Sequence, residues 1–258
     1  MCIRDRAYPS LALYTREWQG NAAFAAQEYE SALEIYQASL GEAETASQQV
    51  FMWEKIALTY AALGDYDNAM AAYDAILNIA RIAYYRARIM YQAAETALAF
   101  GQNAEAYSRM QNLITSYPAE AYAYDALIKL VEAGEVVDEK LRGIVDYHAG
   151  AYSPAVQALY RYINANPQHG GEAHYYIGMS YLKAGSYALA VQEFDTLINT
   201  HPESDDWGSA WIGKAAALAA LGQTDDAIEA YQALPTQSPE HPRAPEALRA
   251  AAELYQNT

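Results

Sequence analysis

The chain has 258 residues, 53% of them hydrophobic, which is enough apolar material for one long domain or two ordinary ones and excludes disorder as the default. A formal net charge of -16 repels phosphate backbones and anionic headgroups, so neither nucleic acid nor an anionic membrane surface is an expected partner. Cys2 is the only cysteine, which excludes an intrachain disulfide and a cysteine-rich metal site and leaves the redox compartment open.

The opening six residues, MCIRDR, set three charges beside a cysteine with no periodic continuation, and residues 1–6 are expected to be a non-native leader outside the fold. Beyond them a short motif recurs. It begins as QEYESA from Gln27 and returns with a leading glycine as GDYDNA at Gly64, GQNAEA at Gly101, GAYSPA at Gly150, GSYALA at Gly185 and GQTDDA at Gly222. The steps are 37, 37, 49, 35 and 37 residues, four of them close to one period. Four of the glycines are followed 17 residues later by a proline, namely Pro118, Pro167, Pro202 and Pro239, while the Gly64 copy has Arg81 at that place.

The best-formed copy explains the spacing. His174, Ile177, Gly178 and Tyr181 fall at i, i+3, i+4 and i+7 before Gly185, and Tyr187, Ala190, Val191, Phe194, Leu197 and Ile198 do the same after it. Each copy therefore predicts a helical hairpin, ended in its first helix by a left-handed glycine and in its second by the proline. A single hairpin cannot bury its apolar stripe, so the hairpins must stack.

The long step from Gly101 to Gly150 carries about a dozen extra residues and predicts an additional helix. Ala126, Leu127, Leu130 and Val131 form one stripe, and Leu141, Ile144 and Val145 form another after Gly134. This divides the chain into helical arrays over 7–133 and 134–258, either continuous or broken near Gly134. The end, APEALRAAAELYQNT, reads as a first helix without its partner, as expected of a truncated product.

These residues resemble the tetratricopeptide repeat, whose motif runs W-x2-L-G-x2-Y, A-x3-F, P. His174, Ile177, Gly178, Tyr181, Ala190, Phe194 and Pro202 match it in kind; so do Trp211, Leu218, Ala227, Tyr231 and Pro239, with Ala215 in the glycine place, and Trp53, Ile56, Ala57, Tyr60, Ala69 and Tyr73. The resemblance implies an all-α, right-handed α-solenoid of stacked antiparallel hairpins, with first helices lining a concave face. By that register Tyr147, Tyr175, Met179 and Lys183 are the candidate binding residues, flanked by His148 and Leu182. The Lys, Arg and Asn clamp with which some members hold a peptide C-terminus is matched only by Lys183, which argues against that mode.

The stretch Val137, Asp138, Glu139, then Arg142, Gly143, Val145, Asp146 and Tyr147 also resembles the helical-repeat region of bacterial soluble lytic murein transglycosylases. That resemblance implies a helical arm without its catalytic domain, a peptidoglycan-associated partner and a periplasmic or cell-envelope location.

Candidate chemistry is sparse. Glu30 and Ser31 mimic the E-S-x-[FL] context of a transglycosylase acid, but Ala32 and Tyr36 lie on the core stripe and place Glu30 on a solvated face. His169 and His174 could offer two nitrogen ligands, yet no third accompanies them in sequence, and His148, His201 and His241 are isolated. No phosphate-binding glycine loop or nucleophile elbow occurs. Most of the 24 tyrosines fall at packing positions, with Tyr175 and Tyr176 as exceptions. The sequence therefore predicts a non-catalytic scaffold for a protein or peptide, with no catalytic residue, cofactor, metal or membrane insertion.

Overall fold

A computed structural model describes residues 9–256, and their side chains from residue 14 onward. The expected leader at residues 1–6, with Cys2, lies outside the described residues. Among these there are fourteen α-helices and no strand. The chain divides into two compact units, one ending at Glu135 and the other beginning at Val136.

The first unit holds α1 (Pro9–Ala25), α2 (Tyr29–Gly41), α3 (Ala46–Leu63), α4 (Tyr66–Ile79), α5 (Ala83–Ala99), α6 (Asn103–Ser116) and α7 (Ala121–Glu132). The second holds α8 (Glu139–His148), α9 (Tyr152–Ala165), α10 (Glu172–Lys183), α11 (Tyr187–Thr200), α12 (Trp207–Ala220), α13 (Thr224–Gln237) and α14 (Ala244–Gln256). Within each unit, consecutive helices pack on one another, giving three hairpins followed by a lone first helix. The helix supplied by the long step is thus α7, because α8 pairs with α9 as an ordinary hairpin. On α7, Ala126, Leu127 and Leu130 are buried as expected, whereas Val131 is 38% exposed and does not join the stripe.

The hairpin turns follow from backbone chemistry. Gly185 has φ +78; its N–H bonds to the Leu182 carbonyl, and the Ser186 N–H reaches back to Tyr181, the paired bonds that close a helix with a left-handed residue. Gly64, Gly101, Gly150 and Gly222 have φ between +75 and +79. In the first copy Gln27 adopts φ +64 and makes the same two bonds, to Phe24 and Ala23, despite carrying a side chain. At the other end, α6, α9, α11 and α13 stop two residues before their prolines, since the residue preceding proline is pushed out of the helical region. Arg81, which replaces the proline after α4, donates to the carbonyls of Asn78 and Ala80.

Close helix approach depends on small residues facing large ones. A methyl group placed on Gly178 would lie 2.7 Å from the ring of Phe194, and one on Gly213 would lie 2.5 Å from it, so this ring is clamped between α10 and α12. Gly20 meets Tyr36 and Gly143 meets Leu159 in the same way. Phe194, Ala190, Leu197 and Ile177 are buried, as are Tyr36, Met52, Ile56, Tyr73 and Ile76 in the first unit. Ala215, in the glycine place of its copy, is fully buried.

Candidate functional site

In the second unit α8 contacts α10, and α10 contacts α12, so first helices succeed one another along one face. Tyr147 on α8 meets Tyr176 on α10 edge to face, with ring centroids 5.2 Å apart, and Tyr176 meets Tyr175 at 5.4 Å. His148 packs on Tyr147 at 5.1 Å and on Tyr176 at 6.0 Å, while Tyr152 flanks Tyr147 at 6.2 Å. Such tilted contacts suit the quadrupoles of aromatic rings. Burial raises the phenol pKa of Tyr175, with Asp206 adding to the shift, and burial pushes Tyr176 up to about 12. Both therefore present neutral hydroxyls throughout the physiological range.

The expected binding residues are brought together only in part. Tyr147 and Tyr175 belong to this one aromatic surface, but Tyr175 and Met179 also pack against the core around Ala190, Phe194 and Leu197. The sequence places them on a face that packing leaves free; in the fold, Tyr175 stands 6.4 Å from Phe194, because the clamped Phe194 ring fills the groove beneath α10. Lys183 is exposed in the last turn of α10, about 12 Å along the helix from Tyr175 at 1.5 Å per residue.

A second tyrosine surface lies in the first unit and escapes the sequence reading. Tyr84 and Tyr91 on α5 each stand 5.6 Å from Tyr122 on α7. Nearby, Glu54 on α3 accepts from Tyr85 at 2.6 Å and from Arg88 at 2.8 Å. The repeat motif is weakest around Gly101, so no register is available there to assign α5 a face.

The histidines rearrange most. His201, isolated in sequence, joins His169 and His174, with ring centroids 4.7, 5.1 and 5.8 Å apart. One nitrogen from each ring falls within 4.8 Å of the other two. Preceding Pro202, His201 leaves the helix with φ -134, and its side chain seats against Gly171, where a methyl group would come within 2.7 Å of its Cβ. His174 Nδ1 pairs with Glu193 Oε2 at 2.7 Å, and the Tyr160 hydroxyl donates to the other oxygen of that carboxylate. Burial, followed by the neighbouring imidazoles His174 and His201, lowers the pKa of His169; burial and then His174 lower that of His201. His169 also borders a cavity of about 410 Å³ lined by Glu172, Asp205, Asp206 and Lys140.

Glu30 is exposed at the start of α2, with Ala32 and Tyr36 buried beside it, so no apolar pocket surrounds its carboxylate. Among the described residues no helix is long and apolar enough to cross a membrane.

Tetratricopeptide-repeat family models match residues 52–82, 88–119 and 177–242, together about half of the chain. No curated protein sequence matches. Among solved structures the chain is similar to the TPR2AB domain of yeast Sti1 in complex with pHSP90, at 18% identity over 96% of this chain and 98% of that one, with a TM-score of 0.40. It is also similar to a tetratricopeptide repeat protein from Parabacteroides merdae, at 12% identity over 94% and 99%, with a TM-score of 0.41. The glycine-turned hairpins, the clamped aromatic residues and the three matched segments together make this chain a member of the tetratricopeptide-repeat family, a helical-repeat scaffold.

Proposed function

We propose that this scaffold binds an extended peptide or protein segment along the first-helix face of its second unit, and that it does so without catalysing a reaction. The observation that carries the reading is the continuous aromatic surface of Tyr147, Tyr176 and Tyr175 on successive first helices. Aromatic faces stack on a partner while their hydroxyls hydrogen-bond to it, and Lys183 offers a cation at the end of the same helix. The first helices repeat at a regular spacing, which suits an extended ligand. A net charge of -16 favours a basic partner, whose association would slow as salt is added. The non-catalytic part of the reading rests on the absence of nucleophile and phosphate-loop motifs from the sequence and on the solvated position of Glu30.

The test is to select peptides from a random library on the full chain and measure their affinity by fluorescence anisotropy. The combined variant Tyr147→Phe, Tyr175→Phe, Lys183→Ala keeps the aromatic packing and removes two hydroxyls and one charge. A loss of about tenfold in affinity is expected, since a lost hydrogen bond is worth about 0.5–1.5 kcal/mol. Unchanged affinity would remove this face as the binding surface.

A further inference from the structure

The cluster of His169, His174 and His201 does more than pack. We propose that these three imidazoles form a binding site for one late first-row divalent metal ion of the zinc type, which joins the loop before α10 to the end of α11. Imidazole nitrogens are the preferred ligands of such ions, and three of them with an open fourth position make a recognised coordination set.

Three observations support the assignment. First, the three residues come from places far apart in sequence, and two of them are fixed by constraints that have nothing to do with each other. His174 sits in the second turn of α10, and His201 is turned off the end of α11 by Pro202 and accepted by the side-chain-free Gly171. Second, His174 already has the outer partner that metal-bound histidines use. Its Nδ1 faces Glu193, whose second oxygen is held by Tyr160, and this fixes the ring and leaves Nε2 for the ion. The His174 side chain is 12% exposed and that of Glu193 13%, so this arrangement is held inside the protein rather than formed on its surface. Third, the neighbouring cavity carries the carboxylates of Glu172, Asp205 and Asp206 against the single cation of Lys140, which pairs with Glu172 at 2.8 Å. That excess of negative charge favours a divalent ion over a second ammonium or guanidinium group.

The distances also indicate how the site closes. A tetrahedral ion with bonds of about 2.0–2.1 Å needs its nitrogens about 3.3 Å apart, so nitrogens within 4.8 Å must draw in by up to about 1.5 Å. His169 can supply that movement, because it lies on the short connection between α9 and α10, next to Gly170 and Gly171. Its Nδ1 is held only by the Gly171 N–H at 3.3 Å, near the long limit of a hydrogen bond.

The experiment uses the full chain expressed without a histidine tag. Zinc is titrated calorimetrically, and cobalt is used in parallel as a spectroscopic substitute whose visible absorption reports coordination number. The expected result is one ion per chain with intense, tetrahedral-type cobalt bands. Affinity should weaken at least about tenfold in each of His169→Gln and His201→Gln, and about 10- to 100-fold in Glu193→Gln through loss of the outer partner. His241→Gln, outside the cluster, should bind as the parent chain does. With zinc at about one hundred times its Kd, the folded-to-unfolded ratio should rise about 100-fold in the parent chain, and this gain should disappear in His201→Gln. Circular dichroism confirms that each variant is folded before titration. Weak binding of several ions without defined stoichiometry, or one-to-one binding that survives both His169→Gln and His201→Gln, would overturn the proposal.

Discussion

Gly178 and Phe194 are in direct apposition across the α10–α11 hairpin, with the ring edge lying where a β-carbon on the glycine would have to be. Phe194 is fully buried, and Gly213 bounds the ring from α12. Phe194→Ala should therefore lower stability by about 3 to 5 kcal/mol, the range for truncating a buried aromatic side chain. Gly178→Ala should cost about 1 to 3 kcal/mol by overpacking, despite alanine's better helix propensity. Urea denaturation measures both. A loss below about 0.5 kcal/mol for Phe194→Ala would mean that the repeat register is wrong.

Gln27 makes the opposite prediction. It holds φ +64 in a turn where the other copies have glycine, and a left-handed conformation costs a side-chain-bearing residue about 1 to 2 kcal/mol. Gln27→Gly should raise stability by about 1 kcal/mol, after allowing for the extra freedom glycine gains in the unfolded chain. Gly185→Ala should lower it by a similar amount, although open space surrounds the new methyl group. Thermal melting of the two variants should move in opposite directions.

Asp146 gives a pH dependence. Its carboxyl is 4% exposed on α8, and the nearest guanidinium nitrogen, from Arg142, is 3.9 Å away. Burial raises its pKa from 3.8 to about 6, against the opposing pull of Arg142 and Arg161. The native state then holds this proton more tightly than the unfolded chain does. The stabilisation that results is complete below about pH 3.8, declines as the pH rises, and is gone above about pH 6. Asp146→Asn abolishes the titration. Its stability relative to the parent chain should rise by about 1 to 3 kcal/mol between pH 4 and pH 7. Paired urea midpoints at pH 4, 5, 6 and 7 give that difference directly, and a flat difference would exclude the buried-carboxylate account.

The turns and the packing positions were legible in the sequence because each rests on local chemistry: a glycine that must be left-handed, a proline that stops a helix, an i to i+4 stripe. Gly185, Pro202, Gly178 and Phe194 fall into this class. Val131 did not, since periodicity marks a stripe but does not say how wide a face the neighbouring helix covers. The histidine cluster was half visible. His169 and His174 are five residues apart and drew attention, but His201 is 27 residues further along and reaches them only because the hairpin folds back on itself. The tyrosines of α5 and α7 were hidden for a related reason, because their copy has the least recognisable motif.

The side-chain bonds that tie one hairpin to the next span short stretches of chain: 33 residues for Tyr160 to Glu193, 34 for Ser209 to Arg243 and 35 for Asp74 to Arg109. Contacts of this kind make a protein nearly one-dimensional in energy, with each repeat answering to its neighbours and to little else. Damage should accordingly stay where it is inflicted. Hydrogen exchange in a Phe194→Ala chain should accelerate through α10, α11 and α12 while the amides of α3 and α4 keep their protection, a gradient that a globular core of the same length would not produce.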